Sequence, residues 1–259
     1  MKGKTLIPCL AEFLGTFIFV SIGFASVAAM VLKMSDINYP FMAMCWGGAI
    51  TVAIYIVGGV SGAHLNPAVT AALVIWDGFD KKKALCYIAA QTLGAFCAAA
   101  MVYYLFSSGI HGMEDVNGWV RGTAEGAGAM GIFVTGAADG VSMLKAFITE
   151  AVITAILVLT IYAVTDKDNI SAPDTGIGDI AIGAIVVFCG IAFGPLTGFA
   201  MNPARDFGPR IFLMLAGWGK YALGSGGYGL IVPIFGPFLG GILGGGIYKK
   251  VIKPLREKM

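Results

Sequence analysis

The chain carries the stretch SGAHLNPAVT at residues 61–70 and a second, GFAMNPARDFGP, at residues 198–209. Both contain Asn-Pro-Ala, and in both the triplet follows a glycine and precedes an apolar run. Asn is a favoured helix N-cap and Pro is favoured at the first helical position, so Asn66 and Asn202 each predict a helix start. Matching helix starts in the two halves of one chain favour a pore between them.

The composition indicates a membrane protein. Hydrophobic residues make up 58% of the 259 residues and charged residues only 12%, and the mean hydropathy is +0.83. Soluble domains carry about 25% charged residues. We therefore predict an integral, multi-pass membrane protein. The cysteines lie in apolar segments without paired ligand spacing, so we expect no disulfide, no metal and no cofactor, and nothing suggests nucleic acid as a partner.

Hydropathy divides the chain into long and short apolar segments. A helix needs about 20 residues to cross the hydrocarbon. We predict six spans, at residues 6–33, 41–60, 84–107, 144–165, 179–197 and 230–252. The shorter stretches 66–76 and 202–214 match half-length helices that enter the membrane without crossing it. The predicted fold is all-α, with six transmembrane helices and two re-entrant half-helices.

Basic residues set the predicted orientation. They cluster at Lys2 and Lys4, at residues 81–83, and near the C-terminal end at residues 249–258. Six spans put both termini on one side of the membrane, and the cluster at 81–83 falls on that side too. By the positive-inside rule, both termini are predicted to be cytoplasmic.

The two halves also match outside the triplets. Glu12 in the first predicted span corresponds to Glu150 in the fourth, at nearly equal distance from the Asn that follows. Each half contains three spans, and because three is odd, the halves must insert with opposite topology. We predict one transmembrane channel domain, 1–259, in which inverted repeats at 1–107 and 144–259 are joined by an external loop, 108–143. Interrupted helices at corresponding places indicate a transport site near the bilayer midplane.

These motifs resemble those of the major intrinsic proteins, the family of aquaporins and glycerol facilitators. The resemblance covers essentially the whole chain, includes AEFLGT at residues 11–16, and is closest to bacterial glycerol facilitators, whose second motif resembles NPARD at 202–206. It implies an aquaporin-like fold, passive conduction, and a homotetramer with one pore per subunit in a bacterial cell membrane.

The two Asn residues are the candidates for the central pore constriction. Half-helices entering from opposite faces would bring their N-termini together, where each macrodipole carries roughly half a positive charge and repels cations. Asn66 and Asn202 can cap these helices through oxygen and direct N–H donors into the pore, which orients a passing oxygen and interrupts proton hopping. A purely structural cap is the alternative for one isolated copy, but the duplication favours the pore.

The backbone before each half-helix is interrupted by glycine. Non-helical backbone at membrane depth is tolerated where it lines a watery cavity. From this argument and from the resemblance, we assign the acceptors of the pore to the carbonyls of Gly62, Ala63, His64, Leu65, Gly198, Phe199, Ala200 and Met201.

Glu12 and Glu150 are ionisable groups within spans, where insertion costs about 2.5 kcal/mol or more. One possible role is a proton relay. The other is loop support, in which each carboxylate accepts hydrogen bonds from the amides around His64 and Phe199. The symmetric placement, and the lack of a second acidic or His partner along either span, favour support.

Arg205 keeps its charge at membrane depth and needs a polar site. Facing the pore, it would donate to permeant hydroxyls and repel cations. An ion pair with Asp206 or another carboxylate is the alternative, and the Asp206 pair is the weaker choice because neighbouring helix positions point about 100° apart. The resemblance places Trp46, Gly190 and Phe199 around Arg205 in a selectivity filter. It implies that Trp46 and Phe199 form an apolar corner for a carbon chain, with Arg205 opposite. It also implies that Gly190 leaves free the space that a His side chain fills in water-selective channels.

The sequence thus predicts a passive channel for glycerol and other small uncharged polyols, with some water, that excludes protons and ions. One alternative is a water-selective aquaporin of the same fold. Another is a proton-coupled transporter that uses Glu12 and Glu150 as carriers. No enzyme is predicted, because the sequence offers no nucleophile–base pair, phosphate loop or metal cluster. The expected partners are glycerol, water, membrane lipid and further copies of the chain.

Overall fold

A computed structural model describes residues 2–174 and 176–258 of the chain. The side chains of Lys2 and Lys4, which enter the orientation prediction, lie outside the described part. The α-helices in chain order are α1 (Lys2–Val31), α2 (Tyr39–Ser61), α3 (Pro67–Trp76), α4 (Lys81–Asn117), α5 (Met143–Thr165), α6 (Ile177–Thr197), α7 (Pro203–Leu213), α8 (Tyr228–Ile247) and α9 (Lys253–Arg256). Shorter helical turns occupy Glu125–Ile132, Met214–Trp218, Gly219–Leu223, Ser225–Gly227 and Tyr248–Ile252.

Within the described ranges, 6 helices are long and apolar enough to cross a membrane: α1, α2, α4, α5, α6, and α8 with its flanking turns. This confirms the six predicted spans. α3 and α7 have 10 and 11 residues. At about 1.5 Å per residue, each reaches roughly half-way through the hydrocarbon. The predicted all-α fold, with six spans and two half-helices, is confirmed.

The two halves of the chain pack in the same way. α1 packs against α2 and α4, and α5 packs against α6 and α8. Glycine allows the close approaches. A Cβ on Gly94 of α4 would lie 2.5 Å from the Phe13 carbonyl oxygen of α1, and one on Gly240 of α8 would lie 2.1 Å from the Ala151 carbonyl oxygen of α5. Only glycine lets these backbones come so close, which is a common device between helices in membranes.

The half-helices point in opposite directions along α8. Trp76 at the end of α3 donates to the Ile242 carbonyl near the end of α8, at 2.9 Å. Arg210 in the last turn of α7 donates to the Ala222 carbonyl, which precedes α8, at 2.8 Å. α3 also packs against α8 of the other half, and α7 packs against α4. Each half-helix is thus held by the last span of the opposite half.

The predicted boundary at residue 107 is wrong for α4. This helix continues to Asn117, so the first part of the predicted external loop 108–143 is helical, and a further helical turn occupies Glu125–Ile132. Hydropathy detects only the apolar part of a helix, whereas the last turns of α4 carry polar side chains. The helix ends at Gly118, whose φ of 64° is left-handed and suits glycine.

Candidate functional site

The N-termini of the two half-helices meet at Asn66 and Asn202. The Asn66 oxygen caps α3 by accepting from the Ala68 N–H at 2.8 Å, and the Asn202 oxygen accepts from the Ala204 N–H at 3.0 Å. Each side-chain amide also crosses to the other loop. Asn66 Nδ2 donates to the Met201 carbonyl at 2.8 Å, and Asn202 Nδ2 donates to the Leu65 carbonyl at 2.7 Å.

Each Asn amide therefore has a donor left over. An amide NH₂ carries two N–H groups, and one of them is used in the crossed hydrogen bond. Both Asn66 and Asn202 line a cavity of about 250 Å³. The second N–H of each can donate to a molecule in this cavity, where the positive ends of two helix dipoles also meet.

The cavity is amphipathic. Its lining includes residues 62–65 before α3, the polar residues Thr165 and Asp179, and apolar side chains of α1, α2, α5 and α6. These apolar residues are Phe19, Ile50, Ile54, Leu157, Ile161, Ile182 and Val186. A molecule in the cavity thus meets both hydrogen-bonding groups and hydrocarbon.

Both loops before the half-helices adopt left-handed backbone at corresponding positions. The φ angles are 86° at Gly62, 48° at Ala63, 52° at Leu65, 83° at Gly198, 42° at Phe199 and 52° at Met201. A left-handed conformation is unfavourable for residues with a Cβ and persists only where the surroundings impose it. Such strain requires specific support for each loop.

This backbone leaves acceptors free. Within residues 2–174 and 176–258, no hydrogen bond reaches the carbonyls of 62–64 or 198–200, whereas those of Leu65 and Met201 each accept one from the opposite Asn. A backbone carbonyl can accept two hydrogen bonds. All eight carbonyls assigned from the sequence therefore retain acceptor capacity in the structure.

Glu12 supports the first loop. Its Oε1 accepts from the Ser61 hydroxyl at 2.7 Å and from the His64 N–H at 2.9 Å. Its Oε2 accepts from the Leu65 N–H and from Gln91 Nε2, both at 2.7 Å. The side chain is fully buried. With donors on both oxygens, the carboxylate is held as an acceptor and fixes two consecutive loop amides.

Glu150 supports the second loop with the same geometry. Its Oε1 accepts from the Thr197 hydroxyl at 2.7 Å and the Ala200 N–H at 2.9 Å, and its Oε2 accepts from the Met201 N–H at 2.8 Å. It is also fully buried. The two carboxylates thus hold the residues that immediately precede the two Asn caps.

The His64 side chain belongs to the support of the first loop. Its Nδ1 lies 3.1 Å from the Thr70 hydroxyl oxygen. That hydroxyl donates to the Asn66 carbonyl at 3.0 Å and accepts from Gln91 Nε2 at 3.2 Å. Because the single proton of this hydroxyl is already used, its oxygen can accept a hydrogen bond from His64 Nδ1–H. Gln91 and Thr70 carry no local sequence signal for this role.

The four predicted filter residues come together. The guanidinium carbon of Arg205 lies 4.4 Å from the centroid of the Trp46 ring. The rings of Trp46 and Phe199 meet edge-to-face, with centroids 6.4 Å apart. A Cβ on Gly190 would lie only 3.0 Å from Phe199 Cε2, so the missing side chain is what accommodates the ring. The guanidinium contacts Trp46 directly instead of facing it across an open corner, as cation–π attraction favours.

Arg205 is placed by a backbone carbonyl and not by an acid. Its Nη1 donates to the Phe133 carbonyl at 3.2 Å, and the residue is 6% exposed. Among the described residues, the ion pair of Asp206 is with Arg210, one helical turn further along α7. The alternative pairing of Arg205 with Asp206 is therefore wrong.

Sequence reasoning missed several residues of this region. The Tyr39 hydroxyl donates to the Gly190 carbonyl at 3.2 Å, and its ring meets Phe199 with centroids 6.5 Å apart. The Phe24 ring lies 5.3 Å from the Arg205 guanidinium carbon. Tyr39, Phe24 and Phe133 occur among many aromatic residues in apolar segments, and no motif separates them from ordinary packing residues.

A second, polar cavity of about 470 Å³ adjoins the first at Leu73, Ile161 and Thr165. Its wall includes Asp77, which pairs with Lys249, and Asp166. The second cavity thus neighbours the one at the paired Asn residues and is lined by charged residues at the ends of α3 and α5.

Comparison with known proteins gives consistent matches over nearly the whole chain. Residues 2–248 match the family described as major intrinsic protein. The chain is 44% identical over 255 residues to the glycerol uptake facilitator protein of Escherichia coli (strain K12), covering 97% of this chain and 89% of that protein. It is 42% identical over 255 residues to the propanediol uptake facilitator of Salmonella typhimurium, covering 97% and 96%. The X-ray structure of the aquaglyceroporin from Plasmodium falciparum superposes with a TM-score of 0.85 at 31% identity, covering 98% of this chain and 100% of that one.

Proposed function

Because the chain belongs to the major intrinsic protein family, we propose that it is a passive transmembrane channel for glycerol and other small uncharged polyols, with some water. The observation that carries this proposal is the filter. It combines the Arg205 guanidinium with the aromatic rings of Trp46 and Phe199, and it has no side chain at Gly190. It therefore offers both polar and apolar contacts to one molecule. The chain is a channel and not an enzyme.

Glycerol matches this chemistry because its hydroxyls lie on one edge of a carbon chain. In the proposed path, the hydroxyls exchange water for the Arg205 donors and for the free carbonyls of residues 198–200 and 62–64. The carbon chain passes along the aromatic rings of the filter and then along the apolar wall of α1, α2, α5 and α6. At each step along the pore, a glycerol hydroxyl exchanges one hydrogen-bond partner for another of similar strength, as conduction requires.

Exclusion of ions follows from charge and donor placement. Arg205 and the two helix N-termini at Asn66 and Asn202 present positive potential to any cation in the pore. At the centre, both Asn residues donate, so a water molecule between them uses both oxygen lone pairs to accept from the two amides. It can then only donate to the neighbouring water molecules and cannot receive a proton from them. We propose these residues as the central constriction.

Hydrogen bonding at Glu12 and Glu150 favours the channel over the proton-coupled alternative. Both carboxylates are buried and accept donors from the loops on both oxygens. A carrier would need an exchange path for its proton, and these oxygens are committed to loop support. We propose that Glu12 and Glu150 hold the carbonyls toward the pore.

The wider setting is proposed on the same grounds. The chain is an integral, multi-pass membrane protein. The basic residues at 81–83 and 249–258 support cytoplasmic termini. The kinship with bacterial facilitators supports a bacterial cell membrane, a lipid environment and a homotetramer in which every subunit has its own pore.

Purified protein in liposomes tests the function. In a hyperosmotic glycerol gradient, the vesicles should shrink and then re-swell faster than protein-free vesicles, at a rate proportional to the glycerol gradient and independent of a pH gradient. Fast shrinkage with re-swelling no faster than in protein-free vesicles would overturn the proposal in favour of a water-selective channel. Glycerol accumulation driven by a pH gradient would overturn it in favour of a coupled transporter.

A further inference from the structure

The segment 133–138, which lies in the connection between α4 and α5, contacts residues 196–198, where α6 ends and the loop before α7 begins. The Ala138 N–H donates to the Leu196 carbonyl at 3.0 Å. A Cβ on Gly198 would lie 3.2 Å from Thr135 Cβ, so these backbones are in close contact. Phe133 in the same segment supplies the carbonyl that accepts from Arg205. This segment therefore supplies one of the contacts of the filter guanidinium, beside those of the Trp46 and Phe24 rings.

Thr135 is held through all of its polar groups. Its N–H and its hydroxyl donate to Asp206 Oδ2 at 2.8 and 2.7 Å. Its carbonyl accepts from Arg210 Nη2 at 2.6 Å. A residue with its N–H, hydroxyl and carbonyl all bound has little freedom, and Phe133 is only two residues away.

The anchor for Thr135 is a buried ion pair within α7. Arg210 Nε donates to Asp206 Oδ1, and the two side chains are 1% and 0% exposed. Arg210 also donates to the Ala222 carbonyl. A Cβ on Gly229 would lie 2.3 Å from Arg210 Nε, so a glycine in α8 makes room for the guanidinium. Each nitrogen of the Arg210 guanidinium thus has a partner, and breaking this buried pair would be costly because it leaves an uncompensated charge.

We propose that Thr135, Asp206 and Arg210 are positioning residues for polyol selectivity, and this inference rests on the proposed function. Arg205 and Asp206 are adjacent in α7 and point in different directions, one toward the filter and the other toward Thr135. The ion pair fixes Thr135, Thr135 fixes the Phe133 carbonyl, and that carbonyl holds the Arg205 guanidinium where permeant hydroxyls pass. The segment 133–138 and the filter thus form one hydrogen-bonded unit.

A purely structural anchor would behave differently. If the Thr135 contacts only stabilised the fold, their loss would reduce the number of working channels, and water and glycerol permeability would fall together. If they position Arg205, glycerol permeability would fall more, because glycerol depends on oriented hydroxyl contacts and water does not. The ratio of the two permeabilities in the same vesicles cancels the amount of active protein.

The experiment compares Thr135→Val with Thr135→Ser and with Thr123→Val in the full-length protein. Val keeps the shape and removes the hydroxyl, whereas Ser keeps the hydroxyl. Thr123 lies in the same connection, and its hydroxyl bonds the local backbone at Val120 and Gly126, away from the filter. Losing one hydrogen bond to a charged group corresponds to about a tenfold effect. We expect Thr135→Val to lower the glycerol-to-water ratio by about three- to tenfold, and the other two variants to keep the wild-type ratio.

An unchanged ratio in Thr135→Val would overturn the inference, whether both permeabilities are intact or both are reduced. Thr135→Ala serves as a second variant where Val accumulates poorly, with the same expected direction. Wild-type vesicles that conduct no glycerol would contradict the proposed function itself, so the two failures are distinguishable.

Discussion

Gly190→Ala tests whether the absence of a side chain in α6 defines the width of the filter. The added Cβ would lie 3.0, 3.1 and 3.2 Å from Cε2, Cζ and Cδ2 of the Phe199 ring. Comfortable carbon–carbon separations are about 3.5–4.0 Å. The ring must therefore move by about half an ångström, because the methyl group, fixed on a packed helix, cannot retreat.

The direction of this movement follows from the neighbours of Phe199. Its ring already lies over Gly190 and Gly194, where a Cβ on Gly194 would be 2.7 Å from Phe199 Cδ1. Movement away from α6 takes the ring toward Trp46, whose centroid is 6.4 Å away. We expect this movement to narrow the proposed path for a carbon chain more than the path for a single water molecule.

Overpacking of this kind costs about 1–3 kcal/mol. If about 1.4 kcal/mol of this appears in the barrier for glycerol, glycerol permeability falls about tenfold. We expect water permeability to change less than about twofold, because a water molecule is smaller than a carbon chain with hydroxyl groups. The assay is stopped-flow light scattering of liposomes, with glycerol and water measured on the same preparation.

Gly112→Ala is the matched control, since it adds the same methyl group to a helical glycine with nothing within 4 Å. It should leave both permeabilities unchanged. A glycerol-to-water ratio in Gly190→Ala that equals or exceeds the wild-type ratio would refute the reasoning, because Gly190 would then not limit the width.

Two further predictions concern the loop before α7 and the charged cluster around Asp166. Glu150→Gln should lower the melting temperature and reduce glycerol and water permeability together. An amide NH₂ that faces the loop N–H groups leaves a buried donor without an acceptor, which costs about 1–3 kcal/mol. Preserved downhill flux with loss of pH-driven uptake would instead indicate a proton carrier. Burial raises the pKa of Asp166, but hydrogen bonds from Tyr248, the Asp168 N–H and Arg256 outweigh it and hold this pKa below its usual value. Its stabilising contribution is therefore complete above about pH 4 and lost as the pH falls through the lower folded pKa. Thermal unfolding should show Asp166→Asn less stable than wild type at neutral pH, with the difference shrinking in acid; a constant difference at every pH would contradict this.

Most of the fold could be predicted because its signals are local. Length and hydropathy define a span without any knowledge of its neighbours, and Asn66 and Asn202 cap helices through atoms two residues away. The division into inverted repeats, and the roles assigned to pore residues, stay predictions. The end of α4 was misplaced because its last turns are polar and carry no hydropathy signal.

The candidate site was predictable where a residue type is itself informative. An Arg or Glu in an apolar segment needs a partner or a pore, whatever the rest of the fold, so Glu12, Glu150 and Arg205 are visible in the sequence. The residues that pair with them are not visible in the sequence. Arg210 escaped notice although it is just as buried, because its acid lies in the same short helix and the pair looks like an ordinary surface one.

The sequence by itself determined a six-span membrane bundle with two half-helices, and it marked the residues whose charge or cap demands a special environment. Only the tertiary structure decided which acceptor holds Arg205, which hydroxyl holds the segment 133–138, and which glycine leaves room for Phe199. The physical reason is that helix starts and spans are determined within a few residues of the chain, whereas backbone carbonyls are chemically alike. The role of the Phe133 carbonyl depends on contacts with α7, far away in the sequence.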